Sequence, residues 1–443
     1  MKETNNNLKR ELSLSAATAI VVGNMIGSGI FTAPQSLAQV SNPITTIIAW
    51  VITGLGSLLL ALSFANLGTK YPETGGPIVY TKKAFGEFTG FLVAWTFWIG
   101  SWIGNAAIVT AIMRYLTYFF PILTINNTLS FIVASIFLWI VTIINILGVK
   151  KAGFIGQITT ALKLSVILVF AGIALYGFNP EYLHTYSAPE VSNFNTLPSA
   201  IAVTLWSFIG LEGASISAGE IKNPEKNIKR STLIGTGLAA VIYIILSVLS
   251  MGGMSQGQLA LSDAPLADII NNITSGSWGG SFISLGIIIS AAGATSGWIL
   301  TTARAAYAAG EDGLFPSFFA KVHPKFKTPI TALIISSVCT NLLLILNYVS
   351  SLTEAFNFMT NLATLSFIPA YAFSACAEII LTYKQGEKLT LANFLKHSIL
   401  SLLAFIYAVY IIYGSGSKAA MWVFILMLVG VPFYTYKKLQ DRA

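Results

Sequence analysis

Two glycine-rich stretches contain the residues whose types and spacing could do chemistry. The first reads GNMIGSG at residues 23–29, and the second reads WSFIGLEG at residues 206–213. Glycine is a poor helix former with a permissive backbone, so each stretch predicts a break inside a helix. A broken helix presents free N–H groups where its second half starts and free carbonyls where its first half ends. Both stretches could therefore bind a charged ligand through the backbone alone.

The two breaks favour opposite charges at their exposed ends. The N–H groups at Ser28 to Ile30 suit a carboxylate, and the carbonyls at Trp206 to Ile209 suit an ammonium group. An α-amino acid carries both groups. The alternative is that these glycines only allow helices to pack closely. Residues 25–27 and 208–210 align as Met-Ile-Gly and Phe-Ile-Gly, and breaks at matching positions favour the binding-site interpretation.

The elements that must position these breaks follow from the composition. Of the 443 residues, 55% are hydrophobic and 9% are charged, and the mean hydropathy is +0.73. A soluble domain has about 25% charged residues, so the composition excludes a soluble enzyme and predicts a polytopic membrane protein. Cys339 and Cys376 lie in apolar runs and the three histidines form no cluster. We therefore predict no disulfide, no metal and no cofactor.

Twelve apolar stretches are long enough to cross a bilayer. They lie near residues 13–40, 43–67, 88–119, 127–148, 154–177, 199–219, 230–253, 278–303, 329–349, 355–382, 392–412 and 417–436. Of the 25 Lys and Arg residues, all but three fall on the side of the N-terminus; Arg114 and Lys418 lie on the other side and Lys163 lies within a span. The positive-inside rule then predicts cytoplasmic N- and C-termini. The net charge of +8 reflects this topology, so no nucleic-acid partner is predicted.

This pattern divides the chain into three parts. They are a cytoplasmic N-terminal tail (1–12), a transport core (13–382) and a final segment (383–443) with spans 11 and 12 and a cytoplasmic tail. Interrupted spans at matching positions predict an inverted repeat of spans 1–5 and 6–10. The chain has no GxxxxGK[ST] phosphate loop, no arginine-rich voltage-sensing span and no TVGYG-like filter. These features favour a secondary transporter over an ATP-driven pump or a channel, and over an enzyme.

Six strings resemble one known family, the amino acid–polyamine–organocation transporters. They are GNMIGSGIF (23–31), YPETGGPIVYTKKAFG (71–86), SWIGN (101–105), LWSFIGLEGAS (205–215), KNPEKN (222–227) and AAGEDGLFP (308–316). The nearest branch is the basic amino-acid/polyamine antiporters, which include arginine/agmatine and putrescine/ornithine exchangers. The resemblance covers residues 8 to 435. It implies an all-α membrane protein of twelve transmembrane helices in a LeuT-type five-plus-five inverted repeat, with helices 1 and 6 broken.

The resemblance also implies a function and a set of site residues. The function is exchange of amino acids or their amine products by alternating access in a bacterial plasma membrane, often as a homodimer. The residues that would hold the substrate carboxylate are Ile26, Gly27, Ser28 and Gly29. The other matched residues, by role, are Asn105 as a substrate contact, Trp206 as the gate, Trp298 as a stacking partner for the substrate side chain, and Glu212 as the acidic residue of span 6.

Three positions depart from that branch. Ile78 and Phe97 stand where the arginine/agmatine exchangers have tyrosines. Lys163 resembles the span 5 lysine of broader amino-acid transporters in the superfamily, which stands where sodium binds in sodium-coupled relatives. We expect Lys163 to act in coupling or gating, or else to tether the two repeats.

Lys163 and Glu212 are the ionisable groups that the sequence places near mid-membrane, where a charge is costly and usually functional. We expect the Glu212 carboxylate to reach the cavity between the breaks; the alternative is a structural pair with Lys163. A negative charge and a tryptophan wall favour a cationic substrate. Two other interpretations remain: a proton-coupled or exchanging carrier of neutral amino acids, and an amino-acid sensor that binds without transport.

Overall fold

A computed structural model describes residues 10, 12–147, 149–184, 194–276, 278–326, 328–384, 386 and 390–440. The predicted N-terminal tail lies almost entirely outside these residues, as do the last three residues of the chain. Throughout the described ranges the regular structure is helical, apart from one isolated β-bridge between Leu12 and Ile221. The prediction of an all-α protein is confirmed for this part of the chain.

The described residues form twenty α-helices. They are α1 (Leu14–Met25), α2 (Gly29–Val40), α3 (Pro43–Lys70), α4 (Pro77–Phe85), α5 (Glu87–Leu116), α6 (Ile122–Ile125), α7 (Asn127–Ile146), α8 (Val149–Tyr176), α9 (Leu197–Trp206), α10 (Gly213–Ile216), α11 (Pro224–Gly253), α12 (Gln256–Leu261), α13 (Pro265–Thr274), α14 (Trp278–Glu311), α15 (Ile330–Leu343), α16 (Leu346–Val349), α17 (Leu352–Lys384), α18 (Leu391–His397), α19 (Ile399–Gly414) and α20 (Ser417–Gln440). Short 3-10 helices lie at Pro180–Leu183, Phe194–Thr196, Ala218–Glu220 and Ser317–Ala320.

Nine helical segments in the described ranges are long and apolar enough to cross a membrane, with α1 and α2 counted together. A tenth is added if α18 and α19, which meet at a bend of 63°, form one span. Two shorter apolar helices, α9 and α15, fall below the length of a span. The chain is therefore a multi-pass membrane protein, as the composition predicts.

Side-chain caps and prolines define where several of these helices begin. The Asn42 side chain accepts a hydrogen bond from the Thr45 N–H at 2.8 Å, and Pro43 occupies the first turn of α3. Asn126 caps α7 in the same way through the Leu129 N–H, at 3.0 Å. These caps satisfy backbone donors that a helix start leaves without a partner.

Burial separates a central helix from peripheral ones. In the apolar window of α5, 83% of the residues are buried inside the protein, against 11% in the corresponding window of α20. A helix buried on every side must be surrounded by other helices, whereas an exposed apolar helix faces lipid. The core therefore forms around α5, and α20 lies at the periphery.

The β-bridge ties the start of the chain to its middle. The Leu12 N–H donates to the Glu220 carbonyl at 2.9 Å, and the Lys222 N–H donates to the Leu12 carbonyl at 2.9 Å. The start of α1 and the start of α11 therefore lie on one face of the protein, which we call the N-terminal side. The chain crosses to the opposite face by the end of α2 at Val40.

Candidate functional site

Both predicted breaks are present. In the first, α1 ends at Met25 and α2 begins at Gly29, and the Gly27 N–H turns back to the Met25 carbonyl at 2.8 Å. In the second, α9 ends at Trp206 and α10 begins at Gly213. Gly210 in this second break has φ +111°, a conformation that side chains with a Cβ rarely adopt. The glycines thus produce the breaks that their helix propensity predicts.

The two breaks pack directly against each other at Asn24. A Cβ atom at Gly210 would lie 2.8 Å from the Asn24 Cβ, and one at Gly213 would lie 2.7 Å from the Asn24 Nδ2. Both distances are shorter than a nonbonded contact allows. Gly210 has no room for a Cβ because it also meets the Asn24 backbone, whereas a side chain at Gly213 would displace the Asn24 amide. The second break therefore fits onto the last turn of α1.

A small cavity of about 20 Å³ lies beside the start of α2. The predicted residues on its wall are Gly27, Ser28, Gly29, Trp206, Ile209 and Trp298. The buried Ser28 hydroxyl has no hydrogen-bond partner among the described residues. Because α2 begins at Gly29, its first N–H groups also lack partners within the helix. This wall therefore combines an unused hydroxyl with the positive end of a helix, which together suit an anionic group.

Trp206 separates this cavity from a larger vestibule. The vestibule has a volume of about 300 Å³, opens beside Val40 and Gly416, and shares Gly29 and Trp206 with the small cavity. We call this face of the protein the vestibule side. A Cβ at Gly29 would lie 2.8 Å from the indole Cδ1 atom, and one at Gly104 would lie 3.1 Å from Cη2. The indole therefore sits between two glycines and closes the passage between the two spaces.

Lys163 lies on α8 and is 1% exposed. Its Nζ donates to the Gly23 carbonyl at 3.0 Å and to the Ile26 carbonyl at 2.5 Å. These carbonyls belong to the end of α1, where the helix dipole favours a positive charge. The ammonium group therefore occupies the carbonyl end of the first break, behind the cavity.

Glu212 does not lie on the cavity wall, contrary to the expectation from its position in the break. Its Oε2 accepts hydrogen bonds from the Gly210 N–H at 3.2 Å and from the Tyr371 hydroxyl at 3.0 Å. These two donors hold the buried carboxylate within the second break. Lys163 and Glu212 thus have different partners, rather than the mutual pair considered as an alternative.

An aromatic stack connects Glu212 to the cavity. The Tyr371 ring stacks on Phe367 with ring centroids 6.3 Å apart, and Phe367 meets the Trp298 ring edge-on at 6.0 Å. Phe367 and Trp298 both line the cavity. Trp298 also donates its indole N–H to the Asn24 carbonyl at 3.2 Å. A movement of the Glu212 carboxylate can therefore reach the cavity wall through side chains in contact.

Two other predicted residues are not on the described cavity wall. Asn105 donates from Nδ2 to the Thr302 hydroxyl at 3.0 Å, and the Ile26 carbonyl is taken by Lys163. The wall residues that sequence reasoning missed are Asn24, Met25, Gly100, Ser101, Gly104, Ile108 and Phe367. Three of these are spaced three or four apart along α5 and so share one helical face, which is a signal that the sequence carries. Phe367 has no such local signal.

The helices and the two facing breaks define a multi-pass membrane protein with a small cavity that a tryptophan separates from a larger vestibule. The family model for amino acid permeases matches residues 12–433, and the chain belongs to this family. It is 34% identical over 424 residues to an arginine/ornithine antiporter of Pseudomonas aeruginosa, covering 92% of this chain and 87% of that protein. An arginine/ornithine antiporter of Latilactobacillus sakei is 32% identical over 96% of this chain and 90% of its own length. An arginine/agmatine antiporter of Chlamydia abortus is 30% identical over 96% of this chain and 89% of its own length.

Proposed function

We propose that the protein is a secondary transporter that exchanges amino acids or their amine products across the membrane, with a cationic amino acid as substrate. The observation that carries this proposal is the position of Trp206 between a small cavity at the helix breaks and a larger vestibule. A binding space at two helix breaks, with one ring between it and a larger vestibule, suits alternating access. The names of the antiporter relatives support exchange and a cationic substrate.

The substrate would bind with its charges matched to the two breaks. Its α-carboxylate would accept hydrogen bonds from the first N–H groups of α2 and from the Ser28 hydroxyl. Its α-ammonium would meet the Ile209 carbonyl just beyond the end of α9, on the cavity wall. The cationic end of the side chain would pack against Trp298 and the neighbouring aromatic wall, a desolvated cation–π contact.

Asn105 would contact the substrate once the site closes. It lies one residue beyond Gly104 of the cavity wall, and its buried Oδ1 atom has no hydrogen-bond partner among the described residues. Gly27 and Ile26 would shape the turn that presents the N–H groups.

The two buried charges would couple substrate movement to the conformational change. Lys163 would hold the end of α1 in place of a sodium ion, since its ammonium already takes two carbonyls of that break. Glu212 would sense the occupancy of the site through Tyr371 and Phe367, whose rings lead to the cavity. Both are therefore proposed as coupling residues, with Trp206 as the gate.

We further propose twelve spans in a five-plus-five inverted repeat. The count takes α9 with α10 as span 6, α15 with α16 as span 9, and α18 with α19 as span 11. The core would then be 13–382, with spans 11 and 12 and a cytoplasmic tail in 383–443. The clustering of Lys and Arg supports a cytoplasmic N-terminal side, so the vestibule would open to the exterior of the cell. A homodimer would be its assembly.

The test is uptake of labelled arginine into proteoliposomes that are empty or loaded with arginine, ornithine, agmatine or alanine. Exchange predicts uptake only into vesicles loaded with a cationic substrate. Uptake into empty vesicles driven by a pH gradient, or exchange of alanine alone, would instead support a carrier of neutral amino acids. Arginine binding by calorimetry without any flux would contradict transport and leave the sensor interpretation.

A further inference from the structure

Arg114, near the vestibule-side end of α5, is a charged side chain that the proposed function does not use. It is 0% exposed. Its Nη2 donates to the Gln35 Oε1 at 3.1 Å and to the Ser262 carbonyl at 3.3 Å. Its Nε lies 4.0 Å from the Asp263 Oδ1, and its guanidinium carbon lies 5.4 Å from the centre of the Phe356 ring. One side chain therefore touches three different parts of the fold, namely α2, the 262–263 connection and α17.

Burying this guanidinium is costly. A charged group inside a protein destabilises the fold unless hydrogen bonds and an opposite charge replace its hydration. The Arg114 Nε and Nη1 atoms have no hydrogen-bond partner among the described residues. The distance of 4.0 Å to Asp263 is the longest that counts as an ion pair, and the Asp263 side chain is 43% exposed. The guanidinium of Arg114 is thus only partly hydrogen-bonded in this conformation. A buried arginine with a purely structural role has a partner for each of its N–H donors.

Two of the groups that Arg114 contacts lie in or beside a unit made of α2 and α12, since Gln35 belongs to α2 and Ser262 directly follows α12. The Gln35 and Gln39 side chains both donate to the Ala260 carbonyl, at 3.1 and 3.0 Å. Gln256 donates to the Ala38 carbonyl at 3.2 Å and to the Ser41 carbonyl at 2.9 Å. Four side-chain bonds thus connect α12 to α2. Because α2 is the second half of the broken span, this unit includes the N–H groups on the cavity wall.

The same region is linked to α17, which forms part of the vestibule wall. The Thr353 hydroxyl donates to the Asp263 Oδ1 at 2.7 Å, and the Ser36 hydroxyl donates to the Asn357 Oδ1 at 2.9 Å. Ser36, Phe356 and Asn357 line the vestibule. A change in the position of α2 relative to α5 would therefore alter the width of the vestibule.

We propose that Arg114 is a positioning residue that latches α2 and the 262–263 connection to α5 and so holds the vestibule open. This inference rests on the alternating-access part of the proposed function. When the latch bonds to Gln35 and Ser262 break, α2 is free to move toward α9 and cover the vestibule. Arg114 thereby sets the balance between the vestibule-open conformation and its alternative, without touching the substrate.

The test measures access to the vestibule rather than transport. Cys339 and Cys376 are replaced by serine, and Ser199, which lines the vestibule, is replaced by cysteine as the reporter. The protein is placed in lipid nanodiscs, and the rate of reaction with a charged maleimide is measured. We expect Arg114→Gln to slow labelling about tenfold, because the closed conformation gains population at the expense of the open one.

A control on the opposite face uses another arginine that pairs across elements. Arg304 on α14 lies 3.5 Å from Glu220, close to the N-terminal side. Arg304→Gln removes a bond on the opposite face, so it should leave Ser199→Cys labelling unchanged or faster. If Arg114→Gln and Arg304→Gln slowed labelling equally, the latch would be overturned, because the slowing would then reflect a general loss of structure. Unchanged labelling in Arg114→Gln would overturn it as well.

A second variant covers the case in which Arg114→Gln fails to fold. Asp263 is partly exposed, so Asp263→Asn is tolerated more easily while it removes the counter-charge of Arg114. We expect about threefold slower labelling, an effect that high salt reduces because the Asp263 carboxylate of this pair is 43% exposed. Labelling at the unsubstituted rate would contradict the latch. Since no substrate is used, failure of the exchange assay with these labelling results intact would overturn the proposed function alone.

Discussion

The two helix breaks handle charge in opposite ways. In the first, a lysine from another helix bonds to the carbonyls of Gly23 and Ile26, at the end of α1. In the second, the carboxylate of Glu212 accepts a bond from the Gly210 N–H at the approach to α10. Each break therefore contains a protein charge of the sign that its helix end favours. Both charges lie behind the cavity wall rather than on it.

The ends of the two breaks that meet the cavity differ in what they leave for a ligand. The first N–H groups of α2 lie at the cavity wall next to Ser28. At the second break the Ser207 carbonyl accepts a bond from the Tyr243 hydroxyl at 2.7 Å, and the Trp206 and Phe208 carbonyls accept bonds from backbone N–H groups, so the carbonyl that remains for a ligand in the described structure is that of Ile209.

The two breaks also hold their charges differently. Within the described residues the hydrogen-bond partners of Lys163 are backbone carbonyls, whereas Glu212 also bonds to a tyrosine whose ring leads to the cavity. Lys163 is thus fixed to the first break, and Glu212 is connected to the site.

The largest effect is expected when the fixed charge is removed. Lys163→Met keeps the apolar part of the side chain and leaves two buried carbonyls without their charged donor. Losing such a buried charge costs about 3 kcal/mol, so exchange should fall roughly a hundredfold. The measurement is initial-rate arginine exchange in proteoliposomes. The exposed Lys418→Met serves as the control, and near-normal flux in Lys163→Met would mean that the first break keeps its shape without the ammonium group.

The next largest effect concerns the aromatic wall next to the first break. Trp298→Ala should weaken arginine binding about thirtyfold, because a desolvated cation–π contact contributes about 2 kcal/mol. Alanine binding should weaken much less. Trp298→Phe keeps a ring but loses the N–H bond to the Asn24 carbonyl, so it separates stacking from that bond. Equal losses for arginine and alanine, measured by calorimetry, would make Trp298 a packing residue.

A smaller effect is expected at the second break. Glu212→Gln keeps the shape and the bonding groups but removes the charge, so substrate should still bind while exchange slows about tenfold. The variant should also lose any dependence of exchange on pH, and cationic substrates should suffer more than neutral ones. Homo-exchange at two pH values, with binding checked by calorimetry, tests this.

The exposed Glu225→Gln is the control for the loss of one carboxylate. Tyr371→Phe removes the hydroxyl that donates a hydrogen bond to Glu212. This variant should slow exchange by less than the roughly tenfold factor expected for Glu212→Gln. A Glu212→Gln variant with the wild-type rate and pH profile would reduce Glu212 to a structural charge. The contrast between a fixed and a connected charge would then be lost.

The last prediction is that removing sodium has no effect on the exchange rate. If Lys163 takes the place of a sodium ion at the first break, a second cation there would be repelled by several kcal/mol at low effective dielectric. Replacing sodium by choline should leave the initial exchange rate unchanged. A steep, saturable dependence on sodium would show that the lysine does not substitute for the ion.

The breaks and their charges could be predicted because their signals are local. Gly27, Gly29, Gly210 and Gly213 reveal both interruptions, and an ionisable residue in an apolar run such as Lys163 is conspicuous. The contacts of these groups could not be predicted. Phe367, for example, reaches the cavity only because α17 packs beside α5, and nothing near it in the sequence indicates this.

Glu212 shows why position alone is insufficient. Its place between two glycines predicts access to the cavity, but the carboxylate turns toward a tyrosine from α17 instead. Asn105 likewise donates to Thr302 of α14. In both cases a partner distant in sequence decides the direction of the side chain. Composition and glycine spacing therefore predict where the backbone breaks, whereas side-chain direction depends on the packed tertiary structure.

The bridge between Leu12 and the 220–222 stretch has a consequence for biosynthesis. Residues 220–222, which bond to Leu12, are translated only when about half of the 443 residues have been made. Spans of that half must therefore enter the membrane while the segment before α1 is still without its partner, and contacts between distant segments form late. The bridge can therefore form only after residues 220–222 have been made. A nascent chain truncated before residue 220 lacks the partners of Leu12, so a protease should reach the segment before α1 more easily.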